Sequence, residues 1–122
     1  MKSLALRITA LLFSGLVSAA QAGEAYLGQF RYQYDGGSVY RVTVKDAQSM
    51  AWLCIEGDEK GAHGIETPQR FTVADKVYFA SWVEKTGINV TQVINLHTMK
   101  VYSTITDGKQ RFVISGNIVR EK

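Results

Sequence analysis

The sequence predicts an all-β domain: an eight-stranded antiparallel up-and-down barrel that follows a cleaved signal peptide. Three observations predict it. From Gly28 onward, short runs rich in Val, Ile, Tyr, Phe, Trp and Thr are separated by clusters of Gly, Asp, Asn and Lys, the pattern of strands joined by tight turns. No stretch carries an apolar stripe of helical period long enough for a helix. The chain has 122 residues, 46% hydrophobic and 20% charged, with one Pro and one Cys. That composition leaves room for one domain and excludes disorder, collagen and a disulfide scaffold.

Residues 1–22 read as the signal peptide. Lys2 and Arg7 give a basic start, Ile8 to Val17 an apolar middle, and Ala20-Gln21-Ala22 a small-x-small ending. Ten helical residues reach only about 15 Å, roughly half the hydrocarbon thickness, so a membrane anchor is not expected. The mature domain is then 23–122, periplasmic or secreted, with no membrane association after cleavage. Removing the leader leaves 12 basic against 11 acidic residues, a net charge of +1. A nearly neutral domain lacks the basic face that a nucleic acid requires.

Strands are expected at 28–34, 38–45, 50–57, 65–73, 77–84, 88–96, 100–106 and 109–119, with turns such as Asp35-Gly-Gly37, Asp46 to Ser49, Lys85-Thr-Gly87 and Asp107-Gly108 between them. Closing such a meander into a barrel removes its unpaired edges, and eight strands enclose just enough space for side chains or one small ligand. Alternation places Phe30, Tyr32 and Tyr34 on one face of the first strand and Tyr40, Val42 and Val44 on one face of the second. In the fifth, Tyr78, Ala80, Trp82 and Glu84 oppose Val77, Phe79, Ser81 and Val83. Both sets are fairly apolar, so the pattern leaves the inward face open.

Cys54 lies in the apolar run Met50 to Ile55 with no Lys, Arg or His within five residues. It reads as a small buried hydrophobe rather than a nucleophile. His63 and His97, with Glu56, Asp58 and Glu59 near the first, have no recognised ligand spacing, so no metal is expected. No Gly-rich phosphate loop or cysteine pair is present either, and no cofactor is expected.

Leu27 to Gly37 with Tyr40, and Val77 to Gly87 with Val90, resemble the matching segments of the phenolic acid decarboxylases, which are lipocalin-like (calycin) barrels. Trp52 to Gly57 with the Gly-rich loop after it, Ser81-Trp82-x-Glu84 and Val90-Thr-Gln-Val93 resemble more closely the small MoaF-like barrel domains. The resemblance spans roughly residues 27 to 106. It implies a calycin-like barrel. By the decarboxylase likeness, Tyr32 and Tyr34 would hydrogen-bond a substrate carboxylate and Glu84 would exchange a proton with a phenolic substrate. That family also uses an Arg in the loop after its third strand, where this chain has Ala62 or His63. Lys60, His63 and Arg70 are the nearest substitutes, and none matches the position.

The expected ligand-binding set is Tyr32, Tyr34, Tyr40, Trp52, Tyr78, Trp82 and Glu84. Residue type alone also allows core tyrosines and, because Glu84 precedes a turn, a solvent-facing acid. The leading expectation is an exported barrel that binds a small apolar or aromatic molecule without catalysis. A cofactor-free lyase using Tyr32, Tyr34 and Glu84, and a protein acting through its surface, are the alternatives.

Overall fold

The computed structural model describes residues 26–122; the expected signal peptide lies outside the described residues. Among the described residues nine strands form one antiparallel sheet: β1 Gly28–Tyr34, β2 Val39–Val44, β3 Met50–Glu56, β4 His63–Glu66, β5 Gln69–Ala74, β6 Val77–Val83, β7 Asn89–Asn95, β8 Lys100–Asp107 and β9 Gln110–Arg120. Their order across the sheet is β4-β3-β2-β1-β9-β8-β7-β6-β5. The sheet curls into a half-barrel rather than the closed eight-stranded barrel that the sequence predicts.

Pro68 accounts for the difference. The strand expected at 65–73 is divided into β4 and β5 around Thr67-Pro68, and each piece has a different neighbour. Met50 pairs with Glu66 on one side, and Gln69 pairs with Ser81 on the other. Proline has no N–H for a ladder and restricts the residue before it. All eight pairings are antiparallel, so β4 and β5 run in the same direction at opposite edges of the sheet. The edges are thus joined by a chain crossing, without a ladder between them. Arg70 on β5 strengthens that crossing: its Nη1 donates to the carbonyls of Asp46 at 3.0 Å and Ala47 at 2.9 Å in the β2–β3 turn. Its guanidinium also lies 5.3 Å from the centre of the Tyr26 ring.

Curling decides the face that alternation left open. Tyr78 and Ala80 are buried, Trp82 and Glu84 are partly buried, and Val83 faces solvent. Phe30, Tyr32 and Tyr34 from β1 and Val42 and Val44 from β2 share the interior with Ile94, Val101 and Ile118. Tyr26 stacks on Tyr78 with ring centres 5.0 Å apart. Cys54 is buried, as its neighbours predict. Tyr40, Trp52 and Trp82 are only partly buried, because they stand on a cavity rather than in packed core.

The interior is rich in phenols that must stay neutral. Burial raises Tyr32 and Tyr78, and holds Tyr26 and Tyr34 up to about 12, against an ordinary value of 10.0. A raised folded-state value means that the stabilisation is complete below the unfolded value and is lost as pH climbs through the folded one. The expected outcome is cooperative alkaline unfolding between about pH 10 and 12. Strand circular dichroism and the tyrosinate ultraviolet band should change together. A gradual tyrosine titration with strand signal intact would contradict this assignment.

Candidate functional site

A cavity of about 70 Å³ opens in the curled sheet, room for a few waters or one small organic molecule. Its aromatic wall comes from Tyr32 and Tyr34 on β1, Tyr40 on β2, Trp52 on β3 and Trp82 on β6, and Met50, Val42, Val90 and Ile105 add apolar surface. Tyr40 stands edge-on to both Tyr34 and Trp52, with ring centres 5.9 Å apart in each pair, a favourable arrangement for ring quadrupoles. Trp52 can lie across β4 because Gly64 is opposite it in register. A Cβ at Gly64 would come within 2.8 Å of the indole Nε1.

The tyrosine hydroxyls are engaged inside the protein. Tyr32 and Tyr26 share a hydrogen bond of 2.6 Å. Tyr34 Oη lies 2.7 Å from Ser103 Oγ and accepts from Gln92 Nε2 at 3.2 Å. Gln92 lines the cavity and is only 7% exposed, yet among the described residues its Oε1 has no partner. A buried acceptor without a donor costs about 1–3 kcal/mol, so this one is a place where a ligand donor or water is favoured.

Carboxylates supply the remaining polarity. Glu59, from the β3–β4 connection, accepts from the Tyr40 hydroxyl at 2.5 Å. Glu84, the residue after β6, accepts from Trp82 Nε1 at 3.3 Å. Glu66 on β4 accepts from Trp52 Nε1 at 2.9 Å. Glu59 and Glu84 line the cavity, and among the described residues no Lys, Arg or His does. Burial pushes the Glu84 carboxyl above its usual range. The Trp82 indole opposes that shift, and Glu66 and Glu59 add to it.

Six of the seven residues expected to bind ligand therefore line the cavity: Tyr32, Tyr34, Tyr40, Trp52, Trp82 and Glu84. Tyr78 does not, because its ring is stacked beneath Tyr26. Of the cations considered as substitutes for the decarboxylase Arg, Arg70 is held by the β2–β3 turn and His63 is exposed, with its Nδ1 3.3 Å from the Gly61 carbonyl. Lys60 is exposed on its loop. Sequence reasoning missed Glu59 and Gln92. Gln92 was accessible through the alternation Val90, Gln92, Ile94, which puts an amide among inward apolar residues; Glu59 sits in a loop that has no periodicity to read.

The geometry defines a one-sheet β half-barrel with an aromatic interior cavity. The chain belongs to the MoaF-like family, whose model matches residues 28–119, from β1 through nearly all of β9. Among solved structures it is similar to a Burkholderia vietnamiensis protein described as a candidate beta-lactamase. The TM-score is 0.73 and the identity 18%, over 79% of this chain and 95% of that one. At that identity the likeness is one of fold. No curated protein matches the sequence.

Glu84 bears a cost in the folded state that Gln would not. Because its folded value is raised, the cost is complete at neutral pH and disappears as pH falls below the ordinary value of 4.5. Glu84→Gln is expected to raise the thermal midpoint at pH 7 by about 1–3 °C, a small gain because solvent screens a half-exposed group. The gain should vanish near pH 4 to within about 1 °C. Thermal scans across that range check it, and a variant less stable at pH 7 would contradict it.

Proposed function

We propose that the protein is an exported, non-enzymatic binding barrel that takes a small, mostly apolar or aromatic molecule into the cavity. The observation that carries this reading is the cavity wall of two tryptophans and three tyrosines with few polar groups among them, the composition of a ligand pocket. Export rests on the basic, apolar and small-residue pattern of residues 1–22. The family membership supports a binding barrel and leaves the ligand to be found.

The lyase reading has one observation in its favour, the raised Glu84 carboxyl beside the aromatic wall. Two others weigh against it. Both candidate tyrosine hydroxyls have protein partners, and among the described residues the lining contains two carboxylates and no cation to hold an anionic acid. Without a charge-assisted partner, a transition state loses about 2–4 kcal/mol, or roughly thirty- to a thousand-fold in rate. The beta-lactamase description belongs to the Burkholderia protein: the likeness is of fold, and this sequence has no S-x-x-K run.

An ultraviolet assay that follows loss of a conjugated hydroxycinnamate is expected to show no turnover by the purified protein. Turnover abolished by Glu84→Gln and by Tyr32→Phe would replace the binding reading with the enzymatic one.

A further inference from the structure

Three features of the cavity bear on the charge of a ligand. The first is its uncompensated negative charge. Glu59 and Glu84 line it and Glu66 stands close enough to act on Glu84. The ion pairs among the described residues join Arg31 and Arg41 to Glu121 and His97 to Asp75, so none of these three carboxylates is in one. Each receives a single neutral donor from the aromatic wall, a phenol O–H or an indole N–H. That one bond orients the group and leaves acceptor capacity unused.

The second feature is the wall itself. The faces of Trp and Tyr rings attract cations, Trp most strongly, and the attraction grows where water is excluded. Trp52, Trp82, Tyr34 and Tyr40 supply four such rings around one space. The third is Gln92, buried on the cavity wall with Oε1 unpaired. Its Nε2 already donates one N–H to Tyr34, and among the described residues Oε1 is the atom left without a partner. Carboxylates, ring faces and a spare carbonyl all favour a ligand that brings positive charge and N–H donors.

We propose that the ligand is a small organic cation: a protonated amine on an apolar or aromatic body, with the ammonium near Glu84 and Glu59 and the body against the tryptophans. The proposal rests on the binding-barrel reading and adds the ligand's charge to it. Aromatic acids are disfavoured by the same carboxylates, since a like charge in a partly desolvated site repels.

Trp52 and Trp82 are the two tryptophans of the chain, so intrinsic fluorescence reports the cavity wall. The test titrates the purified protein at pH 7 with three ligands of one shape: 2-phenylethylamine, 2-phenylethanol and 3-phenylpropanoate. The amine is expected to bind at least about tenfold more tightly than the alcohol, the size of one cation–π contact or charge-assisted bond. The carboxylate should bind more weakly than either. Glu84→Gln should weaken the amine about tenfold and the alcohol by much less, so that the amine's advantage over the alcohol falls. If circular dichroism shows that this variant does not fold, Glu59→Gln, on an exposed loop, makes the same comparison. Alcohol or carboxylate binding as tight as the amine's would overturn the cation proposal and leave the binding barrel standing. Saturable binding of none of the three would overturn both.

Discussion

Pro68 has no amide hydrogen, so the chain from His63 to Ala74 cannot run as one ladder strand with a single set of neighbours. The structure resolves this by dividing the segment: β4 stays on β3, and β5 crosses to β6. One sheet therefore has its first and last strands tied by two residues, and it must curl to bring those edges within reach. Curling creates an inside, and the inward phase of every strand follows from it. The edges that remain are kept short or irregular: β4 has four residues and β5 carries a register shift near Thr72 and Ala74, which blunts both against pairing with another chain.

The inside then has two regions with different polar solutions. Around Tyr26, Phe30, Tyr78, Ile94 and Val101, rings and aliphatic side chains fill the space, and the Tyr26 and Tyr32 hydroxyls satisfy each other. Around Trp52 and Trp82 the side chains leave a gap, and their indole N–H groups turn to Glu66 and Glu84. An indole can only donate, so each tryptophan at a partly wet wall needs an acceptor. Meeting that need with carboxylates gives the cavity its charge. Tyr34 connects the regions, since its ring lines the cavity while its hydroxyl is engaged by Ser103 and Gln92.

Much of this was legible in the sequence, for reasons that can be stated residue by residue. Period-two alternation identified the inward faces of β1 and β2 because one face was plainly aromatic or β-branched. It could not orient β6, where both faces are apolar and the choice follows from the curling of the sheet, which sets Tyr78 against Tyr26. That same stacking removes Tyr78 from the cavity. The split at Pro68 needed knowledge of which strands flank the segment, information that lies far away along the chain. Glu59 is brought in by a compact turn in which Lys60 N donates to the Gly57 carbonyl and Ala62 N to that of Glu59. No pattern within the loop announces a cavity-facing acid.

The gap beside the tryptophans is proposed as a binding site and not a packing defect. The most direct measurement is a nitrogen–proton correlation spectrum of the side chains of the labelled protein, recorded while 2-phenylethylamine is added. Both indole Nε1–H resonances and the Gln92 amide pair should move together along one saturable curve, because all three groups stand on a single cavity wall. Saturable shifts confined to backbone amides of the outer face, with both indoles unmoved, would contradict the account.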